Sequence, residues 1–91
     1  MSDTQAFEAK LKSEGFPEIR FNEYEANRHN PEHDHPFDVH AMVLSGDITL
    51  TVAGKKTRYG VGDEFRMDAG CRHIEDIGAQ GVRYIVGRRP K

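Results

Sequence analysis

Three of the five histidines, His33, His35 and His40, fall within eight residues, and His73 lies 33 positions beyond His40. Neutral imidazole nitrogens are good ligands for divalent transition metals. A lone histidine on a strand is ordinary. His33-x-His35 is not, because the two-residue period of a strand aims both rings at the same side. With His73 arriving from a distant segment, the three are expected to share one metal ion. In a regular strand His40 has the opposite parity. Pro36 intervenes, however, and a proline in a strand commonly accompanies a break or bulge that resets the phase. His40 is therefore expected as the fourth metal ligand, with Asp38 as the alternative. His29 reads as a loop residue.

Carboxylates surround this set. Asp34, Asp38 and Glu75 could accept imidazole N–H groups and orient the rings. Glu75 shares the face of His73, so it is a candidate general base; its bland alternative is an exposed strand end. Cys71 lies two residues before His73 and reads as a small residue in the turn after Gly70 rather than as a ligand.

Such side chains need a sheet to hold them. Ser2 or Asp3 can cap a short helix running to roughly Glu14, with Phe7 and Leu11 on one face and Gly15-Phe16-Pro17 as its stop. Ile19 and Phe21 then alternate with polar neighbours as a first strand, which decays into Asn27-Arg28-His29-Asn30. Turn residues punctuate the rest at Ser45-Gly46-Asp47, Gly54, Gly60 to Asp63, Asp68-Ala69-Gly70, Gly78 and Gly81, leaving six short strands over 39–44, 48–52, 55–59, 64–67, 72–77 and 82–86. Ala41 to Leu44 is apolar on both faces, so something must cover it from outside, either the helix or a second subunit. Phe37, Phe65, Tyr84, Met42 and Met67 are candidates for the pocket wall or simply for the core. The expected fold is all-β, a small antiparallel β-barrel with a short N-terminal helix: residues 1–17 form the helix and turn, and residues 18–91 a single barrel domain.

Ninety-one residues make one domain. Hydrophobic content of 36% and a mean hydropathy of −0.73 are lean, and a lean core gains from a metal or a partner subunit. A homodimer is therefore expected. A net charge of −2 gives no polyanion-binding patch, so nucleic acid is not an expected partner. The run Arg88-Arg89-Pro90-Lys91 reads as a solvated tail. One cysteine excludes an internal disulfide framework, and neither a signal-like segment nor a long apolar run is present. A cytoplasmic location and no membrane partner are expected.

From Asn27 to Ile77 the residues resemble the cupin superfamily, a jelly-roll barrel family. Its first motif usually runs from a glycine through His-x-His to a glutamate and a closing glycine; here His33-x-His35 matches and Gly46 closes. Its second motif runs from a glycine through Pro-x-Gly and a histidine to an asparagine; here stand Gly62, Asp68-Ala69-Gly70, His73 and Ile77. Fifteen residues separate the motifs, as in compact single-domain cupins. Asn27 stands for the first glycine, and asparagine also visits positive φ. Asp68 stands for proline in a turn that aspartate suits, and Ile77 for asparagine. The glutamate position falls on Val39 counted back from Gly46 and on His40 counted forward from His35.

The resemblance implies a small cupin that binds a divalent transition metal (Zn, Ni, Fe or Mn) through a histidine cluster, with a small organic ligand in the barrel. One alternative is a mononuclear metal-dependent enzyme of the dioxygenase or isomerase type. Another is a metal-free ligand-binding module.

Overall fold

The computed structural model describes residues 3–90; Ser2, one candidate helix cap, and Lys91 lie outside them. Helix α1 spans Asp3–Ser13. It ends where the sequence places the stop. Gly15 takes φ 84°, its N–H donates to the Lys12 carbonyl, and the Phe16 N–H donates to the Leu11 carbonyl. This is a Schellman closure, and Phe16 and Leu11 pack in the same apolar cluster, as that closure favours.

Six strands follow: β1 Glu18–Tyr24, β2 His29–His33, β3 Phe37–Val52, β4 Lys55–Tyr59, β5 Glu64–Met67 and β6 His73–Pro90. All pairings are antiparallel. The long strands β3 and β6 pair with each other along most of their length. β5 lies beside the first half of β3 and β4 beside its second half, while β2 flanks the first half of β6 and β1 its second half. The result is a jelly-roll barrel.

Two expected strand breaks are bulges instead. Ser45-Gly46 and Gly78 to Gly81 lie inside β3 and β6, with register shifts at Val43/Ser45 and Gly46/Ile48. Gly46 and Gly81 both have positive φ, and a Cβ on Gly46 would collide with the Gly81 carbonyl. The bulges reverse the inward parity of both strands. Val39, Ala41 and Val43 face the core before the bulge in β3, and Ile48 and Leu50 after it; in β6 Ile77 gives way to Val82, Tyr84 and Val86.

The outer face of β3 is covered from within the chain. Phe7 and Leu11 of α1, with Phe16, pack on Met42 and Ile85 in a second apolar cluster, so Met42 belongs to this layer and not to the barrel interior. The C-terminal arginines are not a tail either. Arg88 pairs with Glu18 of β1 and Val39 of β3, and Pro90 with Phe37. No described helix is long and apolar enough to cross a membrane.

Candidate metal centre

His33 and His35 reach the barrel interior from the end of β2 and the short link to β3, and His73 from the start of β6. Backbone pairing holds these segments in place. His33 lies opposite His73 in the β2–β6 ladder. The Gly70 N–H donates to the His35 carbonyl at 2.8 Å, and the Cys71 N–H closes the turn onto the Asp68 carbonyl at 3.0 Å. Gly70 takes φ 83° there and Asn27 φ 61°, so asparagine at the first motif's glycine position does adopt the left-handed backbone.

One ring nitrogen from each of His33, His35 and His73 lies within 4.8 Å of the others. The ring centroids of His33 and His73 are 4.3 Å apart, and those of His33 and His35 4.9 Å. Nδ1 of His33 is 2.7 Å from the Pro31 carbonyl and Nδ1 of His73 is 3.0 Å from the Cys71 carbonyl. Each Nδ1 therefore donates its proton, which in the neutral ring leaves Nε2 as the lone pair. His73 is 1% exposed, and its Nε2 has no hydrogen-bond partner among the described residues. A buried acceptor left unmatched costs about 1–3 kcal/mol. The atom is also what an imidazole offers to a metal, so the donor set fits a divalent transition ion.

Glu75 is the carboxylate of this centre. It is 4% exposed, so it is not an exposed strand end. Asn30 Nδ2 donates to its Oε1 at 2.7 Å. Its oxygens lie 3.6 Å from His73 Nε2 and 4.0 Å from His33 Nε2, too long for hydrogen bonds but close enough to act through charge. Burial pushes the Glu75 pKa up, but His73, Asn30 and His33 outweigh it and hold the group below its usual value. For His73 burial works against the charged form, yet Glu75 and the Cys71 carbonyl outweigh it and the pKa is raised. Burial, with His73 and His33 close by, lowers that of His35.

His40 does not join the cluster, which corrects the expectation of a fourth imidazole ligand. Residues 34–36 leave the ladder as Pro36 suggested, but the phase is not reset. Phe37 and Val39 stay on the cavity side, and His40 turns outward beneath α1. There its Nδ1 lies 2.9 Å from Glu14 Oε1 and its Nε2 2.8 Å from Glu64 Oε1. Asp38, the alternative, is also committed elsewhere: it accepts from the Ala69 N–H at 2.8 Å and from Arg89 Nη2 at 3.3 Å. His29 opens β2 on the exposed surface, 2.6 Å from Asp76. Cys71 is half-buried against the core, and its carbonyl serves the site by orienting His73.

His35 of the triad borders a cavity of about 30 Å³, walled by Phe37, Phe65, Met67 and Tyr84 and edged by Asn22, Glu75 and Arg88. By this measure a water needs about 10–15 Å³, so the space holds on the order of two waters before any side chain moves.

No curated protein matches this chain. Among solved structures, a Rhizobium leguminosarum protein of unknown function is similar at 18% identity with a TM-score of 0.75, over 80% of this chain and 69% of that one. KdgF from Halomonas sp. is similar at 18% identity and TM-score 0.67, over 82% of this chain and 81% of that one. The DMSP lyase DddQ from Ruegeria pomeroyi is similar at 22% identity and TM-score 0.72, over 80% of this chain but 38% of that one. At these identities the likeness is one of fold. The Cupin_2 family, described as a cupin domain, matches residues 21–76, a span that contains β2 to β5, the start of β6 and all three clustered histidines. With motif, barrel and family match in agreement, the chain is a member of the cupin domain family.

Proposed function

We propose that His33, His35 and His73 hold a divalent transition metal (Zn, Ni, Fe or Mn) and that a small organic molecule binds beside it in the barrel cavity. The single observation that carries this is the buried Nε2 of His73, without a hydrogen-bond partner among the described residues, on a ring whose Nδ1 is already spent on the Cys71 carbonyl, as that of His33 is on the Pro31 carbonyl. Glu75 supplies the negative charge that a purely histidine site would lack, and lowers the cost of a +2 ion in a buried place. Bound there, the metal supplies Lewis acidity and an open coordination position. The chain's own contribution is to fix the rings, to place Glu75 beside them and to keep bulk water out with Phe37, Phe65 and Tyr84.

The test is metal analysis of protein purified without a histidine tag or chelator. About one equivalent in the native chain, and none in His73→Ala, supports the site. Equal metal content in both defeats it.

The buried Glu75 carboxylate favours a second reading, an enzyme of the dioxygenase or isomerase type in which Glu75 takes a proton from bound substrate. Oxygen uptake by iron-reconstituted protein with thiols, diketones and flavonols separates the two. Turnover that disappears in Glu75→Gln while metal is retained identifies the catalyst. A homodimer is part of the proposal as well. It rests on lean composition, since α1 covers the strand that called for a partner. A 10.3 kDa particle by light scattering at micromolar protein contradicts it.

A further inference from the structure

Among the described residues Arg88 is the one lysine or arginine that lines the barrel cavity. Its place follows from the bulge in β6, after which even-numbered residues face inward: Tyr84 and Val86 wall the cavity, and Arg88 is the next residue in that phase. The odd-numbered neighbours point the other way. Ile85 packs under α1, and Arg89 bonds the Glu14 carbonyl and Asp38.

Six of the eight arginines have an oxygen partner: Arg20 with Glu18, Arg28 with Asn30, Arg58 with Asp47, Arg66 with Glu14, Arg72 with Glu32 and Arg89 with Asp38. Arg83 is exposed and lies over the Phe21 ring. Arg88 is half-buried, and among the described residues its guanidinium meets no carboxylate or carbonyl; its contact is with the face of Phe37, 4.6 Å from the ring centre. The same Phe37 ring stacks on His35 at 4.9 Å, so one aromatic side chain separates the guanidinium from the triad. A partly desolvated guanidinium with unused donors is a receptor for a planar oxyanion.

We infer that Arg88 makes the barrel interior a site for a small organic carboxylate, its guanidinium holding the carboxylate while the rest of the molecule extends toward His33, His35 and His73. The inference rests on the preceding reading in taking the cavity as the ligand site, and it adds the ligand's class and orientation. The two full charges on the cavity lie on different residues, Glu75 beside the triad and Arg88 beyond Phe37. In the metal-free cavity a carboxylate is repelled at the first and received at the second, which sets its direction there. In the metal-free cavity the Glu75 charge disfavours a dianion such as phosphate.

The test is an NMR shift titration of labelled protein, metal-free and cobalt-loaded, with glycolate, its neutral analogue glycolamide, and inorganic phosphate. Glycolate is expected to shift the Val39, Tyr84 and Val86 amides and to bind about ten-fold or more tightly than glycolamide or phosphate. Arg88→Gln loses about ten-fold in glycolate affinity, whereas Arg83→Gln loses none. Arg88→Lys keeps the stem and charge but not the planar fork; it decides the matter if the glutamine variant does not fold, and weakens glycolate about three-fold. Equal binding of glycolate and glycolamide, phosphate binding as tight as glycolate, or an Arg88→Lys affinity equal to the native one overturns the inference. Cobalt uptake is read separately by visible absorption. Its failure sinks the metal reading and leaves Arg88 to be judged on the metal-free titration.

Discussion

His40 Nε2 lies 2.8 Å from the Glu64 carboxylate, and this contact is on the outside of the barrel, under α1. With Nδ1 on Glu14 at 2.9 Å, the ring meets both carboxylates with an N–H only when it carries two protons. Phe7 stands edge-on to it at 4.9 Å. His40 thus joins the helix end to β3 and β5. His40→Ala is expected to cost about 2–3 kcal/mol, the worth of two charge-assisted bonds discounted for partners that are partly in water, plus lost packing. Urea unfolding measures it. Metal content stays at the native level, which separates His40 from the triad.

The same contacts set an acid limit. The guanidinium of Arg66 lowers the Glu14 pKa against the opposing effect of burial, with His40 helping. Burial raises that of Glu64, but His40 and Lys10 outweigh it and the net shift is again downward from 4.5. A carboxyl whose pKa is lower folded than unfolded contributes stability that is complete above its unfolded value and is lost as pH falls through the folded one. The thermal midpoint should therefore fall as pH drops below about 4.5. The Glu14→Gln, Glu64→Gln double variant should start lower at neutral pH and fall less steeply. Parallel curves for the two proteins would remove these residues from the account.

Gly46 tests the bulge. At φ 71° a side chain is already disfavoured, and its Cβ would run into the Gly81 carbonyl with backbone on both sides. Gly46→Ala is expected to destabilise by about 2–4 kcal/mol. Gly54 has a similar φ of 81° but open space around it, so Gly54→Ala should cost about 1–2 kcal/mol. The difference between the two, read from urea midpoints, isolates the close approach of β3 and β6.

Much of this architecture is legible in residue patterns because period-two alternation survives in them. Ile48 and Leu50, or Val82, Tyr84 and Val86, alternate cleanly, and His33 and His35 obey the same rule. Where alternation is absent the sequence misleads. β2 has no apolar face. It is held by polar pairs across to β6, Asn30 to Glu75 and His29 to Asp76, and hydropathy cannot register them. Glycines mark a sharp backbone change without saying whether it is a turn or a bulge, which is why Gly46 and Gly81 read as strand ends. His40 failed for a related reason: Pro36 interrupts the ladder but leaves the inward phase of Phe37 and Val39 intact. The Glu75 carboxylate beside the triad was visible only as a parity match to His73.

Metal binding should register as stability, because the triad gathers β2, the β2–β3 link and β6, which an unfolded chain does not hold together. A ligand bound only by the folded state stabilises it by about 2.7 kcal/mol at a free concentration one hundred times its dissociation constant. For a domain of this size that is a rise in thermal midpoint of roughly 10–20 °C. Zinc added to metal-free protein is expected to give such a rise, and His73→Ala to abolish it. His40→Ala should keep the full increment from a lower starting point, since its ring lies on the other face of β3. Glu75→Gln retains three imidazoles and removes one negative charge, so its increment should shrink without vanishing. An undiminished rise in His73→Ala would mean that zinc stabilises the barrel somewhere other than at the buried nitrogen on which the functional reading rests.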